Sequence, residues 1–276
     1  MSNFWQRLLS GIAYVSIVLA SILVHPIFFG VLFGLITMYA VYEFHHLMHS
    51  QIHLNVLAVI GGGLLFAAFR LGTMHQINNA SLVIYLLTLW GLLMMITLII
   101  ELFAKAEDPI RNWGNLLASQ IMIALPFALM NLFSIDFAQG EKALASLFII
   151  IWINDTGAYC VGSLTAKRKN GNHKMFPRVS PNKSWEGLIG GIVFALLSGY
   201  VYFRVGWFDT LWIALVFTLI ISIFGTLGDL MESLFKRTLG VKDSGKFMPG
   251  HGGVLDRFDS ILLAAPSLLL VYLLLF

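Results

Sequence analysis

Charged side chains are scarce in this sequence. Asp, Glu, Lys and Arg make up 11% of its 276 residues, whereas apolar residues make up 58%. A soluble domain usually carries about 25% charged residues, because polar groups are needed to cover a hydrated surface. Much of the surface of this chain must therefore face lipid. The net charge of +3 is too small to indicate a nucleic-acid partner, and we expect none.

Cysteine is also nearly absent. The single Cys160 excludes a disulfide framework within the chain. It lies in an apolar run, so we predict a buried packing thiol at this position. The sequence also shows neither an internal repeat nor a low-complexity linker, so an array of repeated units is not indicated.

Long apolar runs are what the sequence has in abundance. A membrane-spanning helix needs about 20 mostly apolar residues. The runs predict an all-α, polytopic integral membrane protein with about nine transmembrane helices. Only His25 and Pro26 separate the first two, which are short and could form a re-entrant pair. The predicted spans are Leu8–Val24, Ile27–Tyr42, Leu54–Leu71, Ser81–Phe103, Leu116–Phe133, Ala143–Leu164, Leu188–Val205, Leu211–Leu230 and Ser260–Phe276.

The positive charges are distributed unevenly between the two sides of the predicted membrane. With the N-terminus inside, 14 of the 17 Lys and Arg residues fall on the inner side. Lys and Arg concentrate on the cytoplasmic side of membrane proteins. The two long polar loops, 165–186 and 232–259, are therefore predicted to be cytoplasmic.

Carboxylates recur at helical spacing near the second polar loop. Asp229 and Glu232 are three residues apart, as are Asp256 and Asp259, so each pair would share one face of a helix. An unpaired charge at the edge of an apolar segment is costly, and Mg²⁺ prefers carboxylate oxygens together with substrate phosphates. The alternative is that these carboxylates form ion pairs with Lys236, Arg237 or Arg257.

A glycine-rich turn and several basic residues accompany these carboxylates. Backbone N–H groups at His251, Gly252 and Gly253 can approach a phosphate closely, although a simple turn back into the membrane is the alternative. The cations could hold a triphosphate or an anionic lipid, although the positive-inside rule alone would place several of them here. They are Lys236, Arg237, Lys242 and Lys246.

The first polar loop has its own candidate residues. Asn154 and Asp155 lie well inside an apolar segment, where an ionisable residue indicates function by default. Ser184 directly precedes an apolar helix and is predicted to cap it. Lys183 beside it could reach a phosphate. The glycines Gly187, Gly190 and Gly191 leave room for close helix packing.

Histidines cluster after the second apolar run. His45, His49 and His53 have i, i+4 spacing, which can bind a transition metal on one helix face. No acidic residue lies three or four positions from any of them in the sequence. We therefore predict a hydrated helix end rather than a metal site.

The polar residues together resemble the signature of the phosphatidate cytidylyltransferase (CDP-diacylglycerol synthase) family. The resemblance is confined to residues 150–260. In the polar loop near the C-terminus the matching pattern is Ser233-x-Phe235-Lys236-Arg237, Lys242-Asp243-x-Gly245 and Pro249-Gly250-His251-Gly252-Gly253-x-x-Asp256-Arg257-x-Asp259. Upstream it is Asn154-Asp155 and Ser180-Pro181-x-Lys183-Ser184-Trp185-Glu186-Gly187, where Ser184 stands in place of the commoner threonine.

The resemblance implies an enzyme that transfers a cytidylyl group from CTP to phosphatidate for phospholipid biosynthesis. It implies Mg²⁺ held by Asp229 and Asp256 with Asp259 nearby, K⁺ as a second cation, and a homodimer in the cytoplasmic membrane of a bacterium. The expected catalytic residues are Asp229, Asp256, Lys242, Asp243, Lys183 and Ser184. The expected substrate-binding residues are Lys236, Arg237, His251, Gly252, Gly253, Arg257, Asn154 and Asp155.

On this interpretation, residues 1–142 form N-terminal transmembrane helices and 143–276 form a catalytic transmembrane domain with both polar loops. Two alternatives remain. A secondary transporter also carries charges within its spans, but it usually shows paired halves and sites at the membrane midplane. A CTP-dependent lipid kinase would release CDP instead of pyrophosphate.

Overall fold

The computed structural model of the protein describes residues 3–74, 80–133, 140–168, 171–245, 247 and 252–275. They form two compact units. The first unit comprises Met1–Asp136 and Asp243–Phe258, and the second comprises Phe137–Lys242 and Asp259–Phe276. The segment 243–258 therefore packs with the N-terminal helices, which divides the polar signature near the C-terminus between two units.

The first unit is built from helices. In chain order they are α1 Asn3–Leu23, α2 Pro26–Leu47, α3 Ile52–Gly72, α4 Ala80–Phe103, α5 Pro109–Ala118, a π-helical turn Ser119–Ala124, α6 Leu125–Leu129, a 3-10 turn Met130–Leu132 and the short helix Leu255–Phe258. Local sequence explains several helix starts. The side chain of His25 accepts a hydrogen bond from Ile27 N at 3.2 Å, and Asp108 accepts from Arg111 N at 2.9 Å. In both cases a proline follows the cap, where its missing N–H costs nothing.

Aromatic packing holds the segment 243–258 in the first unit. Phe258 is buried and lies edge-on to three other rings. The ring centroids of Tyr14, Phe33 and Phe127 lie 5.7, 5.9 and 5.6 Å from its own. Such edge-to-face contacts add to the burial of the rings themselves. This cluster fixes the end of the short helix Leu255–Phe258.

The second unit combines long helices with a small hairpin. Its elements are α7 Gly140–Ala166, β1 Lys174–Phe176, β2 Ser180–Ser184, α8 Trp185–Arg204, α9 Leu211–Thr238 and α10 Ile261–Leu275. The antiparallel strands pair Lys174 with Ser184 and Phe176 with Ser180. The hairpin lies where the sequence predicted an irregular loop. Glu186 anchors it by accepting hydrogen bonds from the backbone N–H and the ring Nδ1 of His173, at 3.0 and 2.6 Å.

Helices α7 and α8 approach closely because glycines face the contact. A Cβ atom added at Gly191 would lie 2.8 Å from the carbonyl oxygen of Asn154, and one at Gly190 would lie 2.5 Å from Val161 Cβ. No side chain fits at such separations. The prediction that these glycines permit close helix packing is confirmed.

The prediction of an all-α, polytopic membrane protein is confirmed, whereas the count of nine spans is not. In the described part of the chain, seven helices are long and apolar enough to cross a membrane. The first predicted span corresponds to the shorter apolar stretch Leu9–Leu23, and the last to the 15-residue helix α10. The seven are Pro26–Leu47, Ile52–Gly72, Ala80–Phe103, Pro109–Leu132, Gly140–Ala166, Trp185–Arg204 and Leu211–Thr238.

Two local predictions are wrong. The second polar loop begins later than predicted, because α9 continues to Thr238 and Glu232 is therefore helical. The thiol of Cys160 is exposed rather than buried, as is Tyr159 before it. An apolar run does not distinguish a face packed on protein from a face turned to lipid, because both are apolar.

Candidate functional site

A cavity of about 470 Å³ lies in the second unit, and it brings the two upstream motifs to one place. Helices α7, α8 and α9 and the hairpin all contribute to its wall. Several of the predicted site residues line it together. The polar lining includes Asn154, Asp155, Lys174, Lys183, Ser184 and Asp229. The cavity thus combines cations and carboxylates at the side of three membrane helices.

Lys183 and Asp229 form an ion pair at the wall of this cavity. The Nζ atom of Lys183 lies 2.6 Å from Oδ2 of Asp229, and the two side chains are 25% and 30% exposed. Lys183 also donates to the carbonyl of Thr226 at 3.4 Å, and Ser233 Oγ donates to Oδ1 of Asp229 at 3.2 Å. The pair is partly open to solvent, so its partners can be exchanged for a ligand without unpacking a core.

Asp259 lies within electrostatic reach of three other carboxylates of the second unit. Withdrawal from water raises the pKa of Asp259 well above its ordinary value, and the charges of Asp229, Glu232 and Asp155 raise it further. The backbone N–H of Ser260, at 2.6 Å, only partly opposes this rise. This region therefore favours a cation. Across the described ranges, no three His, Cys, Asp or Glu side chains are placed to enclose a metal by themselves.

Two of the predicted phosphate-binding cations already have protein partners. Lys236 is buried, and its Nζ lies 2.7 Å from Oε2 of Glu232 one helical turn earlier. Arg237 donates to the carbonyls of Val179 and Val241 at 3.4 and 3.1 Å. Lys236 therefore forms an ion pair with a carboxylate, as the alternative interpretation of the sequence predicted. Arg237 connects the end of α9 to the turn of the hairpin. Their predicted contacts with substrate stay predictions.

The prediction that Ser184 caps a helix is confirmed. Its Oγ accepts a hydrogen bond from Gly187 N at 3.1 Å at the start of α8. Asn154, which also lines the cavity, is buried, and its Nδ2 lies 3.5 Å from Thr226 Oγ1. Both side chains thus have structural contacts, and their predicted roles with substrate stay predictions.

Asp256 lies in the first unit, where protein donors hold it firmly. It is 8% exposed, and its Oδ2 accepts from the backbone N–H groups of Ser244 and Gly253, each at 2.8 Å, and lies 3.0 Å from Ser244 Oγ. Gly252 has a φ of +82°, and any Cβ there would collide with this carboxylate. Gly252 therefore makes room for Asp256 itself.

Glu43 is a buried partner of the segment 243–258 that the sequence did not indicate. It lies in α2, is 3% exposed, and its Oε2 accepts from Ser244 Oγ at 2.9 Å and from Leu255 N at 2.7 Å. These partners are 201 and 212 residues away along the chain. The signal available in the sequence was a single acidic residue directly after the second predicted span, which the structure extends to Leu47.

The predicted pairing of Asp256 with Asp259 on one helix face is wrong. The short helix ends at Phe258, and Asp259 begins the next segment, which belongs to the second unit. Lys242 and Asp243 are exposed, and Arg257 Nε finds no hydrogen-bond partner among the described residues. The predicted residues His251, Lys246, Pro249 and Gly250 lie outside the described residues.

The prediction that the histidines mark a hydrated helix end does not hold for all of them. His45 is buried, with Ser50 Oγ 2.9 Å from Nδ1 and Ser119 Oγ 3.0 Å from Nε2. His53 has an acidic partner after all, because its Nε2 lies 3.2 Å from Oε1 of Glu101. The partner is distant in sequence, which is why the local pattern did not reveal it. These contacts give His45 and His53 structural roles.

A comparison with known families assigns the chain as a whole. The model described as the cytidylyltransferase family matches residues 5–275. This chain belongs to that family. The match includes the N-terminal helices, for which the sequence alone offered only apolar character. It also includes both units that the structure defines.

Individual relatives match a shorter stretch of the chain than the family model does. The phosphatidate cytidylyltransferase of Staphylococcus haemolyticus (strain JCSC1435) is 48% identical over 132 residues, which are 48% of this chain and 49% of the relative. That of Staphylococcus saprophyticus is 46% identical over 132 residues, and that of Staphylococcus aureus (strain COL) is 48% identical over 133 residues. The chain thus spans about half the length of the curated relatives it matches, with the same 48% and 49% coverage in each case.

Proposed function

We propose that this protein transfers the cytidylyl group of CTP to phosphatidate at the membrane surface. An oxygen of the lipid phosphate forms a bond to the α-phosphorus of CTP. The bond from that phosphorus to the oxygen bridging to the β-phosphorus breaks, and pyrophosphate leaves with the electron pair. The products are CDP-diacylglycerol and pyrophosphate. The attacking phosphate is already ionised, so the reaction needs no strong general base.

The observation that carries this proposal is the ion pair of Lys183 and Asp229 at the wall of a polar cavity in a membrane protein of this family. The reaction must bring two polyanions together, so positioning and charge neutralisation supply most of the catalysis. A lysine offers a cation to phosphate, and an aspartate offers a ligand for a metal. Three relatives that share about half their length with this chain carry the name phosphatidate cytidylyltransferase, which supports the choice of substrates.

Mg²⁺ is the metal that the residues fit. It is typically bound by one or two carboxylates together with substrate phosphates and water, rather than by a full protein cage. We propose Asp229 and Asp256 as its ligands, with Asp259 near Asp229 in the second unit. When bound, Mg²⁺ would neutralise phosphate oxygens of CTP. That one ion joins Asp229 and Asp256, and that K⁺ is a second cation, are predictions for biochemistry to test.

The other site residues bind and orient the two substrates. Lys183 and Lys242 neutralise phosphate oxygens, and backbone N–H groups of the glycine-rich turn other than that of Gly253, which donates to Asp256, donate to them. Arg257, whose Nε lacks a hydrogen-bond partner among the described residues, is suited to an anionic oxygen. Asp155 and Asn154 form the polar wall of the cavity on α7. The lipid tails stay in the bilayer, and CTP arrives from water.

We further propose that the active site faces the cytoplasm, that the N-terminus lies inside, and that the protein is a homodimer. The distribution of Lys and Arg supports the orientation. Labelling with a membrane-impermeant reagent tests it, with single cysteines introduced after the exposed Cys160 has been replaced by serine. Exclusion chromatography coupled to light scattering in detergent tests the dimer.

The decisive experiment incubates the purified protein with CTP, Mg²⁺ and phosphatidate. Release of pyrophosphate that requires all three, with formation of CDP-diacylglycerol, is the expected result. Release of CDP instead would identify a lipid kinase. A protein that releases neither, but moves a solute across vesicles lacking CTP, would be a transporter.

A further inference from the structure

We propose that Glu43 is a positioning residue for this reaction. Its carboxylate holds Ser244 and the start of the helix Leu255–Phe258, and these in turn orient the carboxylate of Asp256. The inference rests on the proposed function, because the role of Asp256 in cytidylyl transfer gives this arrangement its consequence. It assigns a task to the N-terminal helices, in which the family signature places no polar residue.

Glu43 occupies a position where a carboxylate without hydrogen bonds would cost folding free energy. Glu43 is 3% exposed within the apolar helix α2. Burying a carboxylate is unfavourable unless hydrogen bonds replace its hydration. Glu43 accepts two hydrogen bonds from the segment 243–258, from Ser244 Oγ at 2.9 Å and from Leu255 N at 2.7 Å. The carboxylate therefore binds this segment.

Ser244 links Glu43 to Asp256. Its Oγ lies 2.9 Å from Oε2 of Glu43 and 3.0 Å from Oδ2 of Asp256. Its backbone N–H donates to the same Oδ2 at 2.8 Å. The second bond of Glu43, to Leu255 N, holds the residue directly before Asp256. Glu43 thus restrains Asp256 from two directions, through Ser244 and through Leu255 N.

The surrounding backbone leaves room for the Glu43 carboxylate and for little else. A Cβ atom at Gly245 or at Gly253 would collide with its Oε1. That oxygen has no hydrogen-bond partner among the described residues, and both donors address Oε2. Oε2 is therefore the oxygen of Glu43 that accepts both hydrogen bonds. A glutamine, whose amide oxygen can occupy the place of Oε2, should preserve the arrangement.

The test compares Glu43→Ala, Glu43→Gln and Ser244→Ala with the wild-type protein, each purified in detergent as the full chain. One readout is the binding of Mn²⁺ alone, followed by the paramagnetic resonance signal of the free ion. The other is the separation of kcat from the KM for CTP. Loss of a side chain that orients a metal ligand typically weakens metal binding or activity 10–100-fold.

We expect Glu43→Ala and Ser244→Ala to weaken Mn²⁺ binding roughly tenfold or more and to lower kcat by a similar factor. At a saturating metal concentration the KM for CTP should stay near the wild-type value, because both side chains are proposed to act through Asp256 and not on CTP directly. Glu43→Gln should bind Mn²⁺ nearly as well as the wild type. A merely structural role for Glu43 would lower thermal stability without this pattern.

Glu101→Ala is the matched control. Glu101 is a carboxylate of the same unit, 2% exposed, held by His53 and by Asn112 Nδ2 at 2.8 Å, with no hydrogen bond to the described residues of the segment 243–258. The Glu101→Ala protein should have lower thermal stability than the wild type but the same affinity for Mn²⁺. If Glu43→Ala fails to fold, Ser244→Ala, which removes only the linking hydroxyl, decides the matter by the same two readouts.

Three outcomes would overturn the inference. Unchanged Mn²⁺ affinity and kcat in both Glu43→Ala and Ser244→Ala would remove the link to Asp256. Equal losses in Glu43→Gln and Glu43→Ala would show that the charge matters and not the acceptor. Equal losses in Glu101→Ala would show a general effect of a disturbed unit. A wild-type protein that neither binds Mn²⁺ nor releases pyrophosphate would instead refute the proposed function.

Discussion

The two aspartates proposed as metal ligands are held in contrasting ways. Asp256, in the first unit, is 8% exposed and accepts hydrogen bonds from the backbone N–H groups of Ser244 and Gly253. These donors can move only if the backbone moves. Asp229, in the second unit, is 30% exposed and is paired with the amine of Lys183, a long side chain with many rotamers. One carboxylate is built into the fold, and the other is held by a partner that can leave.

This difference suggests a division of labour. A carboxylate fixed by the backbone supplies a preorganised ligand, whose orientation costs nothing when substrate binds. A carboxylate paired with lysine offers a ligand together with a cation, and the two can separate when a metal and a phosphate arrive. Substitutions can show whether the fixed and the exchangeable carboxylate are both needed, and what their partners contribute.

The largest effect is expected from removing either charge. Asp256→Asn and Asp229→Asn should each lower kcat by roughly 10²–10³-fold or more, the usual scale for one preorganised electrostatic group. Both proteins should still insert and purify, because asparagine nearly preserves the shape. Steady-state pyrophosphate release measures the effect, and Asp209→Asn, an exposed residue between α8 and α9, is the control. Full activity of Asp256→Asn would refute its role as a metal ligand.

A smaller effect is expected from the exchangeable partner. Lys183→Met should lower kcat/KM about 10- to 100-fold, since it removes a charge-assisted contact to phosphate worth about 1.5–3 kcal/mol. Lys183→Arg should recover part of the activity. The ion pair itself should add at most about 1 kcal/mol to stability, because both partners are partly solvated. A large fall in thermal stability with unchanged kinetics would make the pair purely structural.

A still smaller effect is expected at the exposed Lys242. Lys242→Ala should raise the apparent KM for one phosphate-bearing substrate about fivefold, which corresponds to roughly 1 kcal/mol of an exposed charge-assisted contact. Titrations of CTP and phosphatidate at saturating partner concentrations identify the substrate. Lys105→Ala, another exposed lysine, should change neither KM. Unchanged values for both substrates in Lys242→Ala would exclude this contact.

The smallest effect concerns the cap at the cavity wall. Ser184→Ala removes the acceptor of Gly187 N and should cost about 1 kcal/mol of stability. Thr210→Ala is a matched control, because Thr210 caps α9 in the same way through Ile213 N at 3.3 Å. Thermal unfolding in detergent should show similar losses. If kcat falls in Ser184→Ala alone, the predicted catalytic role of Ser184 gains support beyond capping.

The fold was predictable where local chemistry decides it. Hydropathy indicated the spanning helices, Ser184 was recognisable as a cap, and glycines marked the close contact of α7 with α8. The hairpin was missed because its strands, Lys174–Phe176 and Ser180–Ser184, are short and polar. Hydropathy also could not say whether the apolar face around Cys160 meets protein or lipid.

The candidate site was predictable only in part. The motif residues Lys183 and Asp229 do meet, although 46 positions separate them in the chain. Glu43 could not be found, since its partners lie more than 200 residues away and no spacing rule connects them. The same reasoning explains His53, whose acidic partner Glu101 comes from another helix. Hydrogen bonds between distant segments leave no periodic trace in a sequence.

The exposure of Cys160 has a practical consequence. It is the only thiol in the chain, and it follows Tyr159, which lines the cavity of the second unit. A methanethiosulfonate spin label or a small fluorophore could therefore be attached to the natural protein in detergent, without first stripping competing cysteines. Its spectrum, recorded during titration with nucleotide or with short-chain lipid, would report the arrival of each compound beside helix α7 before any turnover is measured.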